Sequence, residues 1–446
     1  MTEPRFEVAI LAGGEGTRLK TRTGALPKPM VPVGGTPALE HQVRLCRQHG
    51  FTRILFLVHY GHDVIRGHFG DGSAFGVSIG YQVESEPRGT AGALRDAAPR
   101  LSDTCLVLFG DTYVDVDLRG LWNAHLEHAA DATLFVHPTD HLDDSDLIEL
   151  DATGRVTTLH PYPHPEGADR RNLANAGLAV LQRDVLESVV PERGVPEAGR
   201  TDLIKDTVPR MLRAGRHVYG YVSPEYIKDI GTPERLDRVE RDLAAGVPER
   251  LSGRSLRRAV FLDRDGTVNR EVHHLSHPDQ VELLDGSAGA VRRLNRSGWL
   301  TAIVTNQPVV ARGAVTFEGL ERIHARLERL LGREGAYLDA VYACPHHPDR
   351  DFPGEVPELK IACECRKPGT ALIDRACRRF LIDRATSWLV GDKTCDIEAG
   401  RRAGLRTILV RTGYAGQDGQ FPCQPDYTAE NLAGAVDWLL DRHDRQ

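Results

Sequence analysis

Short runs of β-branched and other apolar residues alternate with helix-length segments along almost the whole chain. Strands that are apolar on both sides are typical of parallel sheets, because helices cover both faces of such sheets. The pattern therefore predicts an α/β fold with doubly wound, mostly parallel sheets. The runs that we assign to strands are FEVAILAG, RILFLVHY, TCLVLFGD, ATLFVHP, AVFLDRDG, LTAIVTNQ, AVYACP, SWLVGDK and RTILVRT.

The alternation breaks off and restarts near residue 258. Just before this point a charged helical pattern gives way to a polar segment with Pro, Gly and Ser, which is typical of a linker. A chain of 446 residues is also longer than one ordinary hydrophobic core supports. We therefore predict a domain at 1–245, a linker at 246–257 and a second domain at 258–446.

The composition is that of a globular protein, with 41% hydrophobic residues, 27% charged residues and a formal net charge of −7. The acidic balance argues against nucleic acid as a partner, since phosphate backbones select basic surfaces. No apolar run reaches the roughly 20 residues of a membrane helix, and the N-terminus lacks the features of a signal peptide. We expect a cytoplasmic protein that acts on small molecules, either as a monomer or as a homo-oligomer.

The first predicted strand leads into a glycine-rich segment, LAGGEGTRL at 11–19, which is followed by LPKPMVPVGGTPALEH at 26–41. Glycines after a strand let the backbone approach phosphate oxygens, and the next helix directs its N-terminal amides toward them. The spacing matches neither the dinucleotide fingerprint nor the P-loop. Arg18 and Lys28 add positive charge where a triphosphate would lie.

Further motifs follow in order: EPRGTAGAL at 86–94, LFGDT at 108–112, NAGLAV at 175–180 and KDIGTPE at 228–234. Together with the glycine segment they resemble the sugar-1-phosphate nucleotidyltransferase family over roughly residues 5–240. In that family a sugar 1-phosphate attacks the α-phosphorus of a nucleoside triphosphate and expels pyrophosphate. The resemblance implies a Rossmann-like domain in which Asp111 and Asp229 hold Mg²⁺ while Arg18 and Lys28 offset phosphate charge. Taken singly, Asp111 is equally well explained as a strand-end cap and Asp229 as a surface carboxylate.

The same resemblance implies the residues that contact the nucleotide and the sugar phosphate. The nucleotide contacts are Leu11, Gly13, Gly14, Glu84, Gly89 and Asp111, and the sugar-phosphate contacts are Asn175, Lys205 and Lys228. Glu84 stands where the family reads the base. A carboxylate only accepts hydrogen bonds, and guanine alone has two adjacent donors on its pairing edge, so Glu84 favours GTP, whereas a pyrimidine would suit an amide. The sugar stays open, because LHPYPHPEG at 159–167 and TDLIKD at 201–206 depart from the family's sugar-pocket motifs.

Four short motifs in the C-terminal half are each expected at the end of a strand: FLDRDGTVN at 261–269, VTNQ at 304–307, CRKP at 365–368 and LVGDKTCD at 389–396. One Asp-x-Asp pair is weak evidence, because a capping turn has the same pattern. The four motifs in this order resemble the haloacid dehalogenase superfamily of magnesium-dependent phosphatases, over roughly 258–440.

This second resemblance implies a catalytic role for each motif. Asp263 is expected to attack phosphorus as the nucleophile, and Asp265 to act first as general acid and then as general base. Thr305 and Lys367 match the positions that bind the transferring phosphoryl group.

The acidic residues of these motifs are also the expected magnesium ligands. Mg²⁺ is expected on the carboxylates of Asp263 and Asp392 and on the backbone carbonyl of Asp265. Asp396 is expected to orient either Lys393 or the water molecules on the metal.

Three cysteines and a histidine lie in two short clusters on a proline-rich stretch. They are Cys344, His346, Cys363 and Cys365. Three sulfurs and one imidazole form a closed tetrahedral set for structural Zn²⁺, with His347 as an alternative ligand and buried free cysteines as the other interpretation. The loop ends directly at Lys367, so zinc is expected to fix this catalytic lysine in place.

Within the superfamily this zinc loop resembles the D-glycero-D-manno-heptose 1,7-bisphosphate phosphatases and, more distantly, the histidinol phosphatases. The resemblance implies that Asn306, Arg366 and Lys393 hold the sugar and its remaining phosphate. In NQPVVARG at 306–313, Pro308 and Val309 replace small residues of the family, which predicts a difference in substrate shape or anomer preference.

The two halves are chemically connected, because such a phosphatase makes the heptose 1-phosphate that such a transferase consumes. We predict a bifunctional enzyme whose product is GDP-D-glycero-α-D-manno-heptose. One alternative is activation of another sugar combined with a phosphatase for a different bisphosphate. Another is a non-catalytic N-terminal domain that senses a nucleotide sugar and controls the phosphatase.

Overall fold

The computed structural model describes residues 5–14, 19, 24, 26–165, 168–192, 199–350, 353–422 and 424–443. By its internal contacts the chain divides into two compact units. The first contains Met1–His137, Ile148–Pro161 and Ala174–Pro248, and the second contains Pro138–Leu147, Tyr162–Leu173 and Glu249–Gln446. Two segments from within the predicted first domain therefore belong to the second unit.

The first unit is built on a nine-stranded mixed sheet, with two two-stranded pairs beside it. Its strands are β1 (Phe6–Leu11), β2 (Pro32–Val33), β3 (Thr36–Pro37), β4 (Arg53–Val58), β5 (Ser78–Val83), β6 (Leu101–Phe109), β7 (Thr112–Asp115), β8 (Ala132–His137), β9 (Leu147–Leu150), β10 (Val156–His160), β11 (Ala174–Gln182), β12 (Val218–Val222) and β13 (Tyr226–Asp229). The order is β10-β9-β11-β6-β1-β4-β5, with β8 pairing β11 and β12. β1 is parallel to β4 and β6, whereas β11 is antiparallel to β6 and β8.

Apolar clusters cover both faces of this sheet. Val8 and Ile10 of β1 lie in one buried cluster, and Ala9 between them lies in another, because successive side chains of a strand point to opposite faces. The helices are α1 (Ala38–Gln48), α2 (His62–Phe69), α3 (Gly89–Ala97), α4 (Leu118–Glu127), α5 (Arg183–Ser188), α6 (Val208–Arg213), α7 (Pro233–Ala244) and α8 (Val247–Leu251). α7 begins with proline at its first position, and the Thr232 hydroxyl accepts from the Arg235 N–H, which is a favourable N-cap.

The second unit contains a six-stranded, wholly parallel sheet in the order β16-β15-β14-β17-β18-β19. Its strands are β14 (Ala259–Leu262), β15 (Leu300–Asn306), β16 (Ala340–Cys344), β17 (Trp388–Gly391), β18 (Arg406–Val410) and β19 (Tyr427–Ala429). Its helices are α9 (Ser287–Arg296), α10 (Pro308–Ala311), α11 (Phe317–Arg333), α12 (Ala371–Phe380), α13 (Thr394–Ala403) and α14 (Leu432–His443). The prediction of two α/β units with mostly parallel sheets is confirmed.

The segments at 138–147 and 162–173 belong to the second unit because they pair with its helix α11. The carboxylate of Glu328, a buried residue, accepts from Arg171 Nε at 2.9 Å and from the Asn172 backbone N–H at 2.8 Å. A buried carboxylate needs such partners. Among the residues that the structure describes, no helix is both long and apolar enough to cross a membrane.

Candidate active sites

The first unit has a cavity of about 220 Å³ at the carboxyl ends of β1, β4 and β6. Parallel strands end at the same edge of a sheet, so the residues that follow them meet there. All of the predicted nucleotide contacts line this cavity, together with Lys28 and His59. They are Leu11, Gly13, Gly14, Glu84, Gly89 and Asp111.

A close approach of three chain segments shapes this cavity. A Cβ on Gly13 would lie 3.3 Å from His59 Cβ and 3.5 Å from Glu84 Oε2, so glycine lets the first strand's loop come close to both residues. His59 follows β4 and Glu84 follows β5, and His59 Nδ1 donates to the Glu84 carbonyl at 2.8 Å. The motifs did not single out His59, although its place near the end of a predicted strand was a usable signal.

Asp111 and Asp229 lie on either side of one lysine. Asp229 pairs with Thr112 across the β7–β13 ladder, which brings the two carboxylates together. Lys28 Nζ donates to Asp111 at 2.7 Å and to Asp229 at 3.4 Å. Burial raises the pKa of Asp229, but the charges of Lys28 and Arg235 outweigh burial and hold that pKa below its ordinary value. Two carboxylates that face a single cation are a donor set that fits Mg²⁺.

The other residues predicted for the first unit lie elsewhere. Asn175, Lys205 and Lys228 are not among the described residues that line the cavity. Lys228 lies on β13 beside Asp229, and Lys205 is exposed in the short π-helix Leu203–Thr207 before α6. Arg18 lies outside the described residues.

In the second unit, carboxylate oxygens of Asp263, Asp392 and Asp396 all lie within 4.8 Å of one another. Asp263 follows β14 and Asp392 follows the neighbouring strand β17. Lys367 Nζ lies 2.7 Å from both Asp263 and Asp396 and donates to the Val304 carbonyl at 2.7 Å. Burial lowers the pKa of Lys367, but the two aspartates outweigh it and raise that pKa, so the lysine stays charged.

One lysine does not balance three buried carboxylates. Burial, followed by the charges of Asp263 and Asp396, raises the pKa of Asp392 to about 8. Asp392 Oδ1 is buried and forms no hydrogen bond with any residue that the structure describes. A Cβ on Gly413 would lie 2.2 Å from Asp392 Oδ2, so the glycine leaves this carboxylate room. The orphaned oxygen and the excess negative charge fit a hard cation such as Mg²⁺.

The carboxylate of Asp265 is not part of this cluster and is held by three side chains. Arg264 donates through Nε at 3.1 Å and Nη2 at 2.8 Å, Asn269 donates at 2.9 Å, and Gln307 donates at 2.8 Å. Burial raises the pKa of Asp265, but Arg264 and the two amides outweigh burial and lower it. Arg264 and Gln307 stood in quoted motifs, yet nothing in the sequence indicated which way their side chains point.

Residues after β15 organise the rest of the site. Gln307 also donates to the buried Thr305 hydroxyl at 3.0 Å, which links Thr305 to Asp265. The Asn306 amide bonds the backbone N–H and carbonyl of Lys367 at 2.9 and 3.1 Å. Asn306, predicted to contact the sugar, therefore also holds the loop that carries Lys367.

A cavity of about 340 Å³ opens beside this cluster. Arg366, Lys393, Asp265 and Asn306 line it. The backbone N–H of Lys393 donates to Asp396 at 3.0 Å, which is consistent with the interpretation that Asp396 orients Lys393. The three residues predicted to hold the sugar and its second phosphate thus face one space.

The predicted zinc ligands also come together. Cys344 Sγ lies 3.6 Å from Cys363 Sγ and 3.2 Å from Cys365 Sγ, and His346 Nδ1 lies 3.2 Å from Cys365 Sγ. Tetrahedral Zn²⁺ with Zn–S bonds of about 2.3 Å separates its ligands by about 3.8 Å, so the donor set and its spacing fit zinc. His347 is not part of this group, and its Nδ1 accepts from the Asp349 N–H.

Comparisons with known proteins also divide the chain into an N-terminal and a C-terminal part. Residues 7–246 match the nucleotidyl transferase family, and residues 364–435 match the HAD-hydrolase-like family. The chain is 42% identical to the D-glycero-D-manno-heptose-1,7-bisphosphate 7-phosphatase of Thermosynechococcus vestitus, over 41% of this chain and 95% of that protein. It is 31% identical to the mannose-1-phosphate guanylyltransferase of Mycobacterium tuberculosis, over 55% of this chain and 67% of that protein. The structure of HddC from Yersinia pseudotuberculosis covers 53% of this chain and 99% of its own, at 25% identity and a TM-score of 0.46.

Proposed function

Because the chain belongs to the nucleotidyl transferase family and its C-terminal part belongs with the HAD-type phosphatases, we propose that it is a bifunctional enzyme of nucleotide-activated heptose synthesis. Both resemblances that the motifs indicated are confirmed. In the first reaction, the 7-phosphate of D-glycero-D-manno-heptose 1,7-bisphosphate is removed. In the second, heptose 1-phosphate is coupled to GTP, which gives GDP-D-glycero-α-D-manno-heptose and pyrophosphate.

Asp263 is the nucleophile of the phosphatase step. One of its oxygens attacks the phosphorus of the 7-phosphoryl group, and an aspartyl-phosphate forms as the bond from phosphorus to O7 breaks. Lys367, 2.7 Å from Asp263, offsets the negative charge of the nucleophile and of the phosphoryl oxygens. Asp263, Asp392 and the carbonyl of Asp265 would hold Mg²⁺, which supplies further positive charge at those oxygens.

Asp265 moves the proton in both halves of this reaction. It gives a proton to O7 of the leaving sugar, and its carboxylate then takes a proton from the water that attacks the aspartyl-phosphate. The second attack releases inorganic phosphate and restores Asp263. The bonds from Arg264, Asn269 and Gln307 aim the Asp265 carboxyl and favour the ionised form that the water attack needs.

The first unit carries out the nucleotidyl transfer. An oxygen of heptose 1-phosphate attacks the α-phosphorus of GTP, and the bond to the pyrophosphate oxygen breaks. Asp111 and Asp229 would hold Mg²⁺, whose charge offsets that of the phosphates. Lys28 lies between the two carboxylates and lines the nucleotide cavity, and Glu84 accepts from the two donors of guanine.

One observation carries this proposal: two matched halves on one chain, one similar to a heptose bisphosphate phosphatase and one similar to a guanylyltransferase for a sugar 1-phosphate. The first reaction produces a sugar 1-phosphate, which is the class of compound that the second reaction uses as its acceptor. The guanylyltransferase relative is named for mannose 1-phosphate, so this sugar is the alternative acceptor.

The test is to incubate the protein with heptose 1,7-bisphosphate and each of the four common nucleoside triphosphates, and to identify the products by mass. We expect GDP-heptose and pyrophosphate with GTP. A parallel arm supplies mannose 1-phosphate. Release of phosphate without any nucleotide sugar, or GDP-mannose as the main product, would contradict the proposed second reaction.

Three further expectations accompany the proposal. The catalytic domains extend over 1–245 and 258–446, and structural Zn²⁺ on the cysteine and histidine cluster holds the loop that ends at Lys367. The described cysteines are free, which is typical of proteins in a reducing compartment, and we expect the cytoplasm.

A further inference from the structure

Four side chains on one wall of the phosphatase cavity form a closed ring of contacts. Lys393 Nζ donates to Glu271 Oε2 at 2.9 Å, and Glu271 Oε1 accepts from the backbone N–H of His273 at 2.9 Å. The Tyr414 hydroxyl lies 3.0 Å from His273 Nδ1, and Lys393 Nζ lies 4.5 Å from the centre of the Tyr414 ring. Tyr414 closes the ring, since it contacts both His273 and Lys393.

The backbone that carries one side of this ring is strained. His273 and His274 have φ values of 40° and 62°, in the left-handed region that residues with a Cβ seldom adopt. Such strain persists only where neighbouring contacts hold it, and it is frequent at functional sites. Here Glu271 holds His273 by its backbone and Tyr414 holds it by its imidazole.

Tyr414 is also tied to the acidic cluster. Its backbone N–H donates to Asp392 Oδ2 at 2.8 Å. The tyrosine therefore keeps a fixed position relative to the carboxylates around the nucleophile. Because it contacts Lys393 and His273, it also restricts the positions of these two side chains.

The wall faces the place where the leaving group must lie. Asp265, which protonates the leaving oxygen, lines the same cavity. An ammonium, a carboxylate, an imidazole and a phenol hydroxyl together offer both donors and acceptors, and a sugar hydroxyl can satisfy either kind. An aryl leaving group without hydroxyls shields these groups from water without bonding their remaining donors and acceptors, which costs binding energy.

We propose that Tyr414 is a positioning residue that determines leaving-group specificity: by holding Lys393 and His273 in place, it makes this wall select a polyhydroxylated leaving group. The inference rests on the proposed phosphatase function. It adds Tyr414, Glu271 and His273 to the site residues that the motifs indicated.

The test compares kcat/KM for heptose 1,7-bisphosphate with kcat/KM for p-nitrophenyl phosphate, using the full chain. In Tyr414→Leu the ratio of the two should fall about tenfold, because both the cation–π contact and the histidine contact are lost. Tyr414→Phe keeps the ring against Lys393, so its ratio should fall by less, about threefold. Glu271→Gln breaks the ring at another point and should also lower the ratio.

Tyr427→Leu is the matched control. This tyrosine stacks on Trp438 at 4.0 Å and is not among the described residues that line the cavity, so its ratio should equal that of the wild type. Equal losses on both substrates in the Tyr414 and Glu271 variants would show a merely structural role and overturn the inference, as would unchanged ratios.

The outcome for the wild type separates this inference from the proposed function. If the wild type hydrolyses p-nitrophenyl phosphate but not heptose 1,7-bisphosphate, the proposed substrate is wrong, and the ratio is then measured with glucose 6-phosphate or fructose 1,6-bisphosphate. A wild type that hydrolyses none of the sugar phosphates would overturn the selection of a sugar as well.

Discussion

The two acidic sites use the same residue types but differ in how far water reaches them. In the first unit the side chains of Asp111 and Asp229, which we call the open site, are 41% and 29% exposed. In the second unit those of Asp263 and Asp396, which with Asp392 form what we call the closed site, are 6% and 0% exposed. In both sites one lysine bridges two carboxylates, but the second site holds a third buried carboxylate, Asp392, so the two sites differ in charge as well as in burial.

The degree of burial decides whether nearby positive charge can lower the pKa of an aspartate in the site. At the open site the charges of Lys28 and Arg235 outweigh burial, and the pKa of Asp229 is lowered. At the closed site burial, followed by the charges of Asp263 and Asp396, raises the pKa of Asp392 to about 8 despite the charge of Lys393. Low dielectric strengthens repulsion between carboxylates as much as attraction to a cation. The closed site therefore has a standing requirement for a second cation, whereas the open site stays balanced until its phosphates bind.

Removing the proposed nucleophile should give the largest effect. Asp263→Asn should lower phosphate release by about 10⁴-fold or more, the scale seen when a covalent nucleophile is lost. Nucleotidyl transfer from supplied heptose 1-phosphate should stay near wild type, because that reaction uses the other acidic site. Asp279→Asn, at a carboxylate that is 84% exposed, is the control. Loss of both activities in a folded protein would contradict the independence of the two sites.

The open site should be less sensitive to the loss of one carboxylate. Asp111→Ala or Asp229→Ala should slow pyrophosphate release by about 10²- to 10³-fold, which is the range for losing one electrostatic stabiliser. Phosphatase turnover should persist. Asp63→Ala, at a side chain that is 90% exposed, serves as the control. Transfer that slows by less than about 10²-fold in both variants would refute the metal assignment.

Zinc content and phosphatase activity should fall together when a zinc ligand is replaced, because the zinc loop ends at Lys367. The purified protein should contain about one zinc per chain, and Cys363→Ser should lower the zinc content and reduce phosphatase activity by about 10- to 100-fold. Cys377→Ser, a buried cysteine of α12, should change neither. Zinc is measured by elemental analysis. Full zinc occupancy in a triple variant of Cys344, Cys363 and Cys365 would place the metal elsewhere.

The choice of nucleotide base should depend on Glu84 in the first unit. Glu84→Gln replaces an acceptor by a donor and leaves a polar group facing the wrong partner, at a cost of about 1–3 kcal/mol. The preference for GTP should fall by about one to two orders of magnitude, whereas use of a pyrimidine triphosphate should suffer less. The measurement is kcat/KM for GTP, ATP, CTP and UTP with one heptose 1-phosphate preparation. An unchanged ranking would remove Glu84 as the base reader.

The smallest effect on activity, although not on stability, is expected at Arg171. Arg171→Ala leaves the buried Glu328 without its charge partner in the second unit. The free energy of unfolding should fall by about 2–3 kcal/mol, below the ~3–5 kcal/mol of a fully buried pair, because the Arg171 side chain is 30% exposed. Arg322→Ala on α11, the helix that carries Glu328, changes a side chain that is 66% exposed and should alter stability little. Denaturant unfolding monitored by circular dichroism measures both.

Much of the fold and of both sites could be predicted from the sequence, because parallel strands bring the residues after their carboxyl ends to one edge. Asp263 and Asp392 follow strands that proved to be neighbours, and the motifs alone indicated that they meet. The cysteine and histidine cluster could be predicted equally well, since zinc ligands occur at short, recognisable spacings.

Other features depended on side-chain direction and on contacts between distant parts of the chain. Arg264 and Gln307 stand inside quoted motifs, yet only the packed structure aims both at Asp265. Tyr414 lies 141 positions from His273, the residue that it contacts on the cavity wall. Such pairs carry no local periodicity, so nothing in the sequence pattern indicates them.

The sequence by itself therefore determined the strand and helix pattern, the order of the motifs and the residue types at each strand end. Only the tertiary structure decided which carboxylates are buried, which stay open to water, and that the segments at 138–147 and 162–173 belong with the second unit. The physical reason is that local propensity and motif spacing act over a few residues, whereas burial and charge balance depend on everything that packs around a group.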